Sequence, residues 1–234
     1  MKQIILANDE VWHGNMILAN AESSIINEPD ANSLIPPFLS YPEILLERCA
    51  ATMLMKLQSE IYGLGTIIPI RGYCPKDKLA SIACPDQVEH QTGLAIDFIR
   101  PAFSSNDICD EFIRKASKFG FIQRYPKNKA DITGAASEPW HFRYVGYPHS
   151  MIIENEELSL EEYHAYIKQY TINGTHYSLC NDGQSIEIFY VPATSDNQRI
   201  TIDIPAETII QVSGNNLDGF IITMWKTRNS GEFK

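Results

Sequence analysis

Apolar positions along the chain switch between a helical and an alternating period. Over residues 43–62, Ile44, Leu45, Cys49, Met53, Leu54, Leu57 and Ile61 fall at helical spacing, which predicts an amphipathic helix stopped by Gly63 and Gly65. Residues 66–70 are β-branched and apolar and predict a buried strand. Leu94, Ile96 and Phe98 alternate with Ala95 and Asp97, the pattern of a strand with two unlike faces. Residues 106–119 predict a second helix. Asn106 or Asp107 caps it, Ile108, Phe112, Ala116 and Phe119 face inward, and Gly120 ends it. A further strand is expected over 140–145. A third helix opens at a capping box, Ser159 with Glu162, and carries Leu160, Tyr163, Ile167 and Tyr170 on its inner face. Upstream, Met16, Ile17 and Leu18 suggest a short strand or hairpin, and the Pro-, Asn- and Ser-rich stretch 29–42 should be irregular.

Beyond about residue 169 the period becomes two. Ile186, Ile188 and Tyr190 alternate, as do Ile200, Ile202 and Ile204, and 209–212 and 220–225 are further apolar runs. Asn173-Gly174, Asp182-Gly183, Asp196-Asn197 and Asp218-Gly219 punctuate them as turns. The expected division is a first domain over 1–168 and a β-rich appendage over 169–234. The appendage shows no metal or nucleophile pattern, which favours a structural or homodimer-interface use over catalysis. Asn173-Gly174-Thr175 fits a glycosylation acceptor but, without a secretion signal, reads as a turn.

Composition narrows the classes. The 234 residues carry 19 Lys+Arg against 29 Asp+Glu, a formal charge of -10, and are 44% hydrophobic. That supports a real core, and it disfavours sequence-independent nucleic-acid binding or an anionic membrane surface. The five cysteines, at 49, 74, 84, 109 and 180, form no C-x-x-C pair, which fits a reducing compartment. The opening apolar run is too short for a signal-peptide core, and no stretch is long enough to span a membrane. The expectation is a soluble, cytoplasmic protein.

Two short segments hold unusual combinations: Glu89-His90-Gln91-Thr92-Gly93-Leu94-Ala95-Ile96-Asp97 and Glu138-Pro139-Trp140-His141. Together they offer two imidazoles and a carboxylate, a three-ligand set for catalytic zinc, with a further acid to serve as general base. His13, His149, His164 and His176 read as ordinary surface or core side chains. Asp97 in an apolar strand costs several kcal/mol unless it is paired or metal-bound. From the pattern alone, a metal site and a structural ion pair are equal readings.

His90-x-x-Gly93-x-Ala95-x-Asp97 followed by Glu138-x-Trp140-His141 resembles the double signature of the VanY/VanX-type zinc D,D-peptidases of the LAS group. Similarity to the combined dipeptidase/carboxypeptidases called VanXY extends over most of the chain, including GNMILAN, FIRPAF, ICDEF, FGFIQRY and the β-rich tail. The resemblance implies an α+β fold, an antiparallel sheet flanked by helices with a zinc site, plus the C-terminal appendage. It implies His90, Asp97 and His141 as Zn2+ ligands and Glu138 as catalytic base. The implied substrates are D-Ala-D-Ala and the terminal D-Ala of peptidoglycan precursors, in glycopeptide resistance or cell-wall metabolism. Trp140, between base and ligand, would pack behind them or serve as a plain core residue.

The chain departs from that family around the substrate. The family's Ser-Gly-Tyr-Arg-Ser segment is here Arg71-Gly72-Tyr73-Cys74-Pro75, so Cys74 stands where the arginine would be. Leu79 occupies a Gln position, Val88 replaces a Ser, and the spacer to His90 is short. Arg71, Tyr73 and Trp140 are the candidate substrate contacts, with Arg71 substituting for the missing cation. Cys74 and Cys84 are expected to be inert thiols. The alternative to an active peptidase is a zinc-binding pseudoenzyme with a degenerate pocket that binds peptide or a partner protein.

Overall fold

The structure, a computed structural model, describes residues 1–61, 67–81, 87–99, 106–181, 183–194 and 199–226. In chain order it contains β1 (Lys2–Leu6), β2 (Leu34–Ile35), β3 (Leu46–Glu47), α1 (Arg48–Glu60), β4 (Ile68–Arg71), α2 (Gln87–His90), β5 (Ala95–Ile99) and α3 (Asn106–Ala116). There follow β6 (Phe121–Tyr125), α4 (Ala130–Thr133), β7 (Glu138–Tyr144), α5 (His149–Asn155), α6 (Leu160–Ile167), β8 (Tyr177–Asn181), β9 (Gln184–Pro192), β10 (Ile200–Ile204), β11 (Thr208–Gly214) and β12 (Gly219–Lys226). The α+β expectation holds. No helix among the described residues is long and apolar enough to cross a membrane.

The chain forms two compact units, Ala19–Glu162 and Met1–Leu18 with Tyr163–Lys234. These differ from the expected 1–168 and 169–234. The N-terminal strand β1 pairs antiparallel with β10, so the first residues belong with the C-terminal unit.

In the unit Ala19–Glu162, an antiparallel sheet of order β4-β5-β7-β6 packs Ile96, Phe98, Phe121 and Phe142 with Leu54 and Leu57 of α1 and Phe112 of α3. Helix α1 begins at Arg48 rather than at 43. Leu46 and Glu47 are committed to pairing with Ile35 and Leu34, and the Glu47 amide donates to the Gly93 carbonyl at 2.8 Å. Its buried face is Ala50, Ala51, Leu54 and Leu57, while Cys49 is exposed. Helix α3 tightens into a 3-10 turn over Ser117–Phe119, and Gly120 ends it with φ 88. Strand β5 is buried from Ala95 to Phe98, so its two faces both lie inside. Gly63, Gly65 and Cys84, and the side chains of Leu79, Asn106, Asp107, Ile108 and Cys109, lie outside the described residues. The capping box at the start of α6 is formed: the Ser159 amide donates to Glu162 Oε2 at 2.7 Å and the Glu162 amide to Ser159 Oγ at 3.2 Å.

The other unit holds the β1–β10 pair and an antiparallel sheet of order β11-β12-β9-β8. Its core joins Leu6, Val11, Phe189, Ile202, Phe220, Ile222 and Met224. All four apolar runs read from the tail lie in strands, and Gly183 takes φ 79 in the β8–β9 turn. Asp182 and the Asp196-Asn197 turn lie outside the described residues. Met16, Ile17 and Leu18 are buried but form no strand. Their backbone is satisfied by single bonds instead: Met16 N–H to Ser213 Oγ at 2.9 Å, Leu18 N–H to the Asn215 carbonyl at 3.0 Å, and Asn216 Nδ2 to the Leu18 carbonyl at 2.7 Å.

Candidate metal centre

The sheet register sets the first part of the site. Asp97 on β5 lies directly opposite His141 on β7, and opposite Arg71 on β4 at its other side. One row across the sheet therefore reads Arg71, Asp97, His141. His90 arrives from the end of the short helix α2, and its ring is fixed by the backbone. Nδ1 lies 2.8 Å from the Gly72 carbonyl. A carbonyl only accepts, so Nδ1 carries the proton, and in the neutral ring Nε2 keeps its lone pair. Burial pushes the His90 pKa down, more strongly than the neighbouring Asp97 carboxylate pushes it up, which favours that neutral form.

Two glycines permit this approach. A Cβ on Gly72 would meet the Leu45 carbonyl oxygen at 2.5 Å, so a side chain there would push away the strand end that holds His90. Gly93, at φ 68, turns the chain from α2 into β5 in a conformation that costs glycine least.

The three side chains converge. His90 Nε2 is 3.2 Å from Asp97 Oδ2, and His141 Nδ1 is 2.7 Å from Asp97 Oδ1. The two rings meet edge to face with centroids 5.0 Å apart. All three residues are buried, and one donor atom from each lies within 4.8 Å of the others. Burial alone would raise the Asp97 pKa. Its contacts with His141 and His90 outweigh it and hold the carboxyl well below the usual carboxylate range. An ionised carboxylate with two imidazoles fits a zinc site that leaves a position open for water, so this chain's donor set suits that ion.

Two acids flank the cluster, in different surroundings. Glu89 is fully buried, accepting from Arg124 Nε at 2.7 Å and Arg143 Nη1 at 2.5 Å. Its burial would raise its pKa, but Arg143 and Arg124 hold it at about 2. A carboxylate so held stays ionised near neutral pH. Glu138 opens β7, with Oε2 at 4.0 Å from His141 Nδ1 and a side chain 15% exposed. It reaches both the cluster and solvent.

The candidate substrate contacts are placed unequally. Arg71 is in the site: Nε and Nη2 lie 2.8 and 2.7 Å from Asp97 Oδ2. The Tyr73 hydroxyl bonds Glu28 instead, and burial together with that carboxylate pushes its pKa up to about 12. Trp140 lies one residue from His141, so strand alternation turns it to the opposite sheet face. There it lines an apolar hollow of about 390 Å³ with Ile70, Phe98 and Phe142. Cys74 carries a free thiol, and its amide donates to the His90 carbonyl at 3.1 Å. Sequence reading passed over Arg124 and Arg143, the buried partners of Glu89. The available signal was an arginine inside each apolar strand, FIQRY and EPWHFRY.

Residues 54–147 match the family model VanY, D-alanyl-D-alanine carboxypeptidase. A D-alanyl-D-alanine carboxypeptidase of Enterococcus faecium is 31% identical over 245 residues, covering 94% of this chain and 78% of its own. The structure of the vancomycin resistance D,D-dipeptidase VanXYg, in complex with a D-Ala-D-Ala phosphinate analog, superposes with a TM-score of 0.88 at 36% identity, over 96% of this chain and 99% of that one. That of a mutant of the D,D-pentapeptidase VanY from a VanB-type resistance cassette, in complex with Zn(II), does so with a TM-score of 0.52 at 27% identity, over 65% and 98%. With a buried His-Asp-His cluster on a matching fold, and relatives alike over most of their length, the chain belongs to the VanY family of D-alanyl-D-alanine carboxypeptidases and related D,D-peptidases.

Proposed function

We propose that this protein is a zinc-dependent D,D-peptidase that hydrolyses D-Ala-D-Ala or the terminal D-Ala of peptidoglycan precursors, in glycopeptide resistance or cell-wall metabolism. The observation that carries this reading is the buried His90–Asp97–His141 cluster with the part-exposed Glu138 at its rim. In this reading His90, Asp97 and His141 hold the ion. Bound zinc supplies two things, acidification of a water and polarisation of the scissile carbonyl. Glu138 takes a proton from the attacking water and returns it to the amine of the departing D-Ala. Glu89 stays ionised and takes no part in proton transfer.

The substrate ends in a carboxylate and must approach a chain of charge -10, so local cations have to focus the field. Arg71 is such a cation, with a side chain 26% exposed beside Asp97. It takes the role left by Cys74. The free thiols Cys74 and Cys180 support action in the cytoplasm, where thiols stay reduced.

The test is release of D-Ala by the zinc-loaded chain from D-Ala-D-Ala and from a muramyl pentapeptide. The wild type should release D-Ala, and Glu138→Ala should be slower by about 10²–10⁴-fold, the usual contribution of a positioned acid–base group. No release above the Glu138→Ala level, with zinc bound at one ion per chain, would overturn the enzymatic reading and leave a zinc-binding pseudoenzyme.

A further inference from the structure

Four charged side chains that take no part in the proposed proton transfer run beside the His-Asp-His cluster. Glu161 accepts from Arg124 Nη1 at 2.9 Å and from Nη2 at 2.6 Å. The third guanidinium donor of Arg124, Nε, reaches Glu89 Oε1 at 2.7 Å. The other oxygen of Glu89 accepts from Arg143 Nη1 at 2.5 Å, and Arg143 Nε donates to the Tyr144 carbonyl at 3.1 Å. Glu89, Arg124 and Arg143 are each 0% exposed. The signs alternate, so the group is neutral as a whole.

Such a group is a poor choice for stability alone. Desolvating each ion costs several kcal/mol, and well-packed apolar residues of the same volume usually serve as well. It does supply direction, because a guanidinium fork fixes the angle as well as the distance of a carboxylate. The elements it joins are those that carry the histidines. Glu89 directly precedes His90 on α2. Arg143 is two residues after His141 on β7. Arg124 lies over the ring of Tyr125, 4.8 Å from its centroid, and that ring packs against His141 with centroids 5.1 Å apart. Through its two oxygens, Glu89 therefore ties the helix bearing His90 to the strand bearing His141 and to the strand whose tyrosine backs that histidine.

We propose that Glu89 is a positioning residue. With Arg124 and Arg143 it sets the separation and relative orientation of His90 and His141, and so the affinity and geometry of the metal centre. This rests on the reading of His90 and His141 as metal ligands.

The experiment compares the full-length wild type with Glu89→Gln and Arg124→Lys at a temperature where circular dichroism shows each folded. Zinc affinity is measured by competition with a chelating dye, and the site geometry by the visible absorption of the cobalt(II)-substituted protein. Both variants should bind zinc about 10–100-fold more weakly, the usual cost of losing an outer support of a metal ligand. Both should also show a shifted cobalt(II) band. A role in folding stability alone would lower the melting temperature and leave both readouts in place. Zinc affinity within twofold of wild type and an unshifted band in a folded variant would overturn the proposal. Arg124→Lys keeps the charge and removes the fork, so it carries the test if Glu89→Gln does not fold. A wild type that binds zinc without releasing D-Ala would overturn the peptidase reading alone. A wild type that binds no zinc would overturn both.

Discussion

The two compact units each contain a four-stranded antiparallel sheet, yet they bury different chemistry. In Ala19–Glu162 the buried residues include Glu89, Asp97, Arg124 and Arg143, together with His90, His141 and His149. In the unit built from Met1–Leu18 and Tyr163–Lys234, the buried polar residues among those described are His164, Thr208, Ser213, Asn215, Asn216 and Thr223, with no Asp, Glu, Lys or Arg. Apolar packing suffices to fold a sheet of this size. Charge buried in only one of the two sheets therefore marks where a constraint other than stability acts. Among the described residues, buried charge belongs to one unit and apolar packing to both.

That division can be broken in order of effect. Phe220 is fully buried in the β-rich unit, so Phe220→Ala should cost about 3–5 kcal/mol of stability. Zinc affinity per folded molecule should not change. Chemical unfolding and a zinc titration check the two halves, and a weakened zinc site would show that the metal centre is not confined to Ala19–Glu162.

A smaller effect separates the units on acidification. Burial holds His149 neutral, with its pKa at about 3 against an ordinary 6.5. Below pH 6.5 the unfolded chain takes up a proton that the folded chain refuses, so this contribution is present above 6.5 and is lost as pH falls towards 3. Glu89 adds a second loss lower down. Its folded pKa of about 2 lies below the ordinary 4.5, so its contribution holds above 4.5 and disappears as pH falls to 2. The melting temperature should therefore begin to drop near pH 6.5. In His149→Leu, the drop between pH 6.5 and 4.5 should flatten. An unaltered slope would remove His149 from the account.

Much of this was legible in the sequence, and the reasons differ by element. The strands over Ile186–Tyr190 and Ile200–Ile204 alternate because one face packs and the other does not. The capping box at Ser159 and Glu162 was legible because it is a local pairing. Strand β6 was not, because Phe121, Ile122, Arg124 and Tyr125 are all buried and the pattern loses its period. The start of α1 was misplaced because Ile44 and Leu46 are apolar for a different reason: they pack as an irregular segment and a short strand. The division of the chain was misdrawn because the pairing of β1 with β10 spans nearly the whole sequence and leaves no local signal.

Of the candidate site, His90, Asp97, His141 and Glu138 could be singled out because their residue types and spacing are rare together. Arg71 could be suspected only as a substitution. Its bonds to Asp97 come from the sheet register, which spacing does not reveal. Trp140 lines a hollow on the other face of β7 from His141, a placement that strand alternation decides and residue type does not. The roles of Arg124 and Arg143 depend on where α2 meets β6 and β7, and no periodicity reports such a meeting.

The most direct measurement is a zinc titration of the wild-type chain beside Asp97→Ala. The wild type should bind one zinc per chain, and Asp97→Ala, with its centre reduced to two imidazoles, should lose that binding while staying folded. A folded Asp97→Ala that binds zinc as tightly as the wild type would contradict the assignment of His90, Asp97 and His141 as the metal centre.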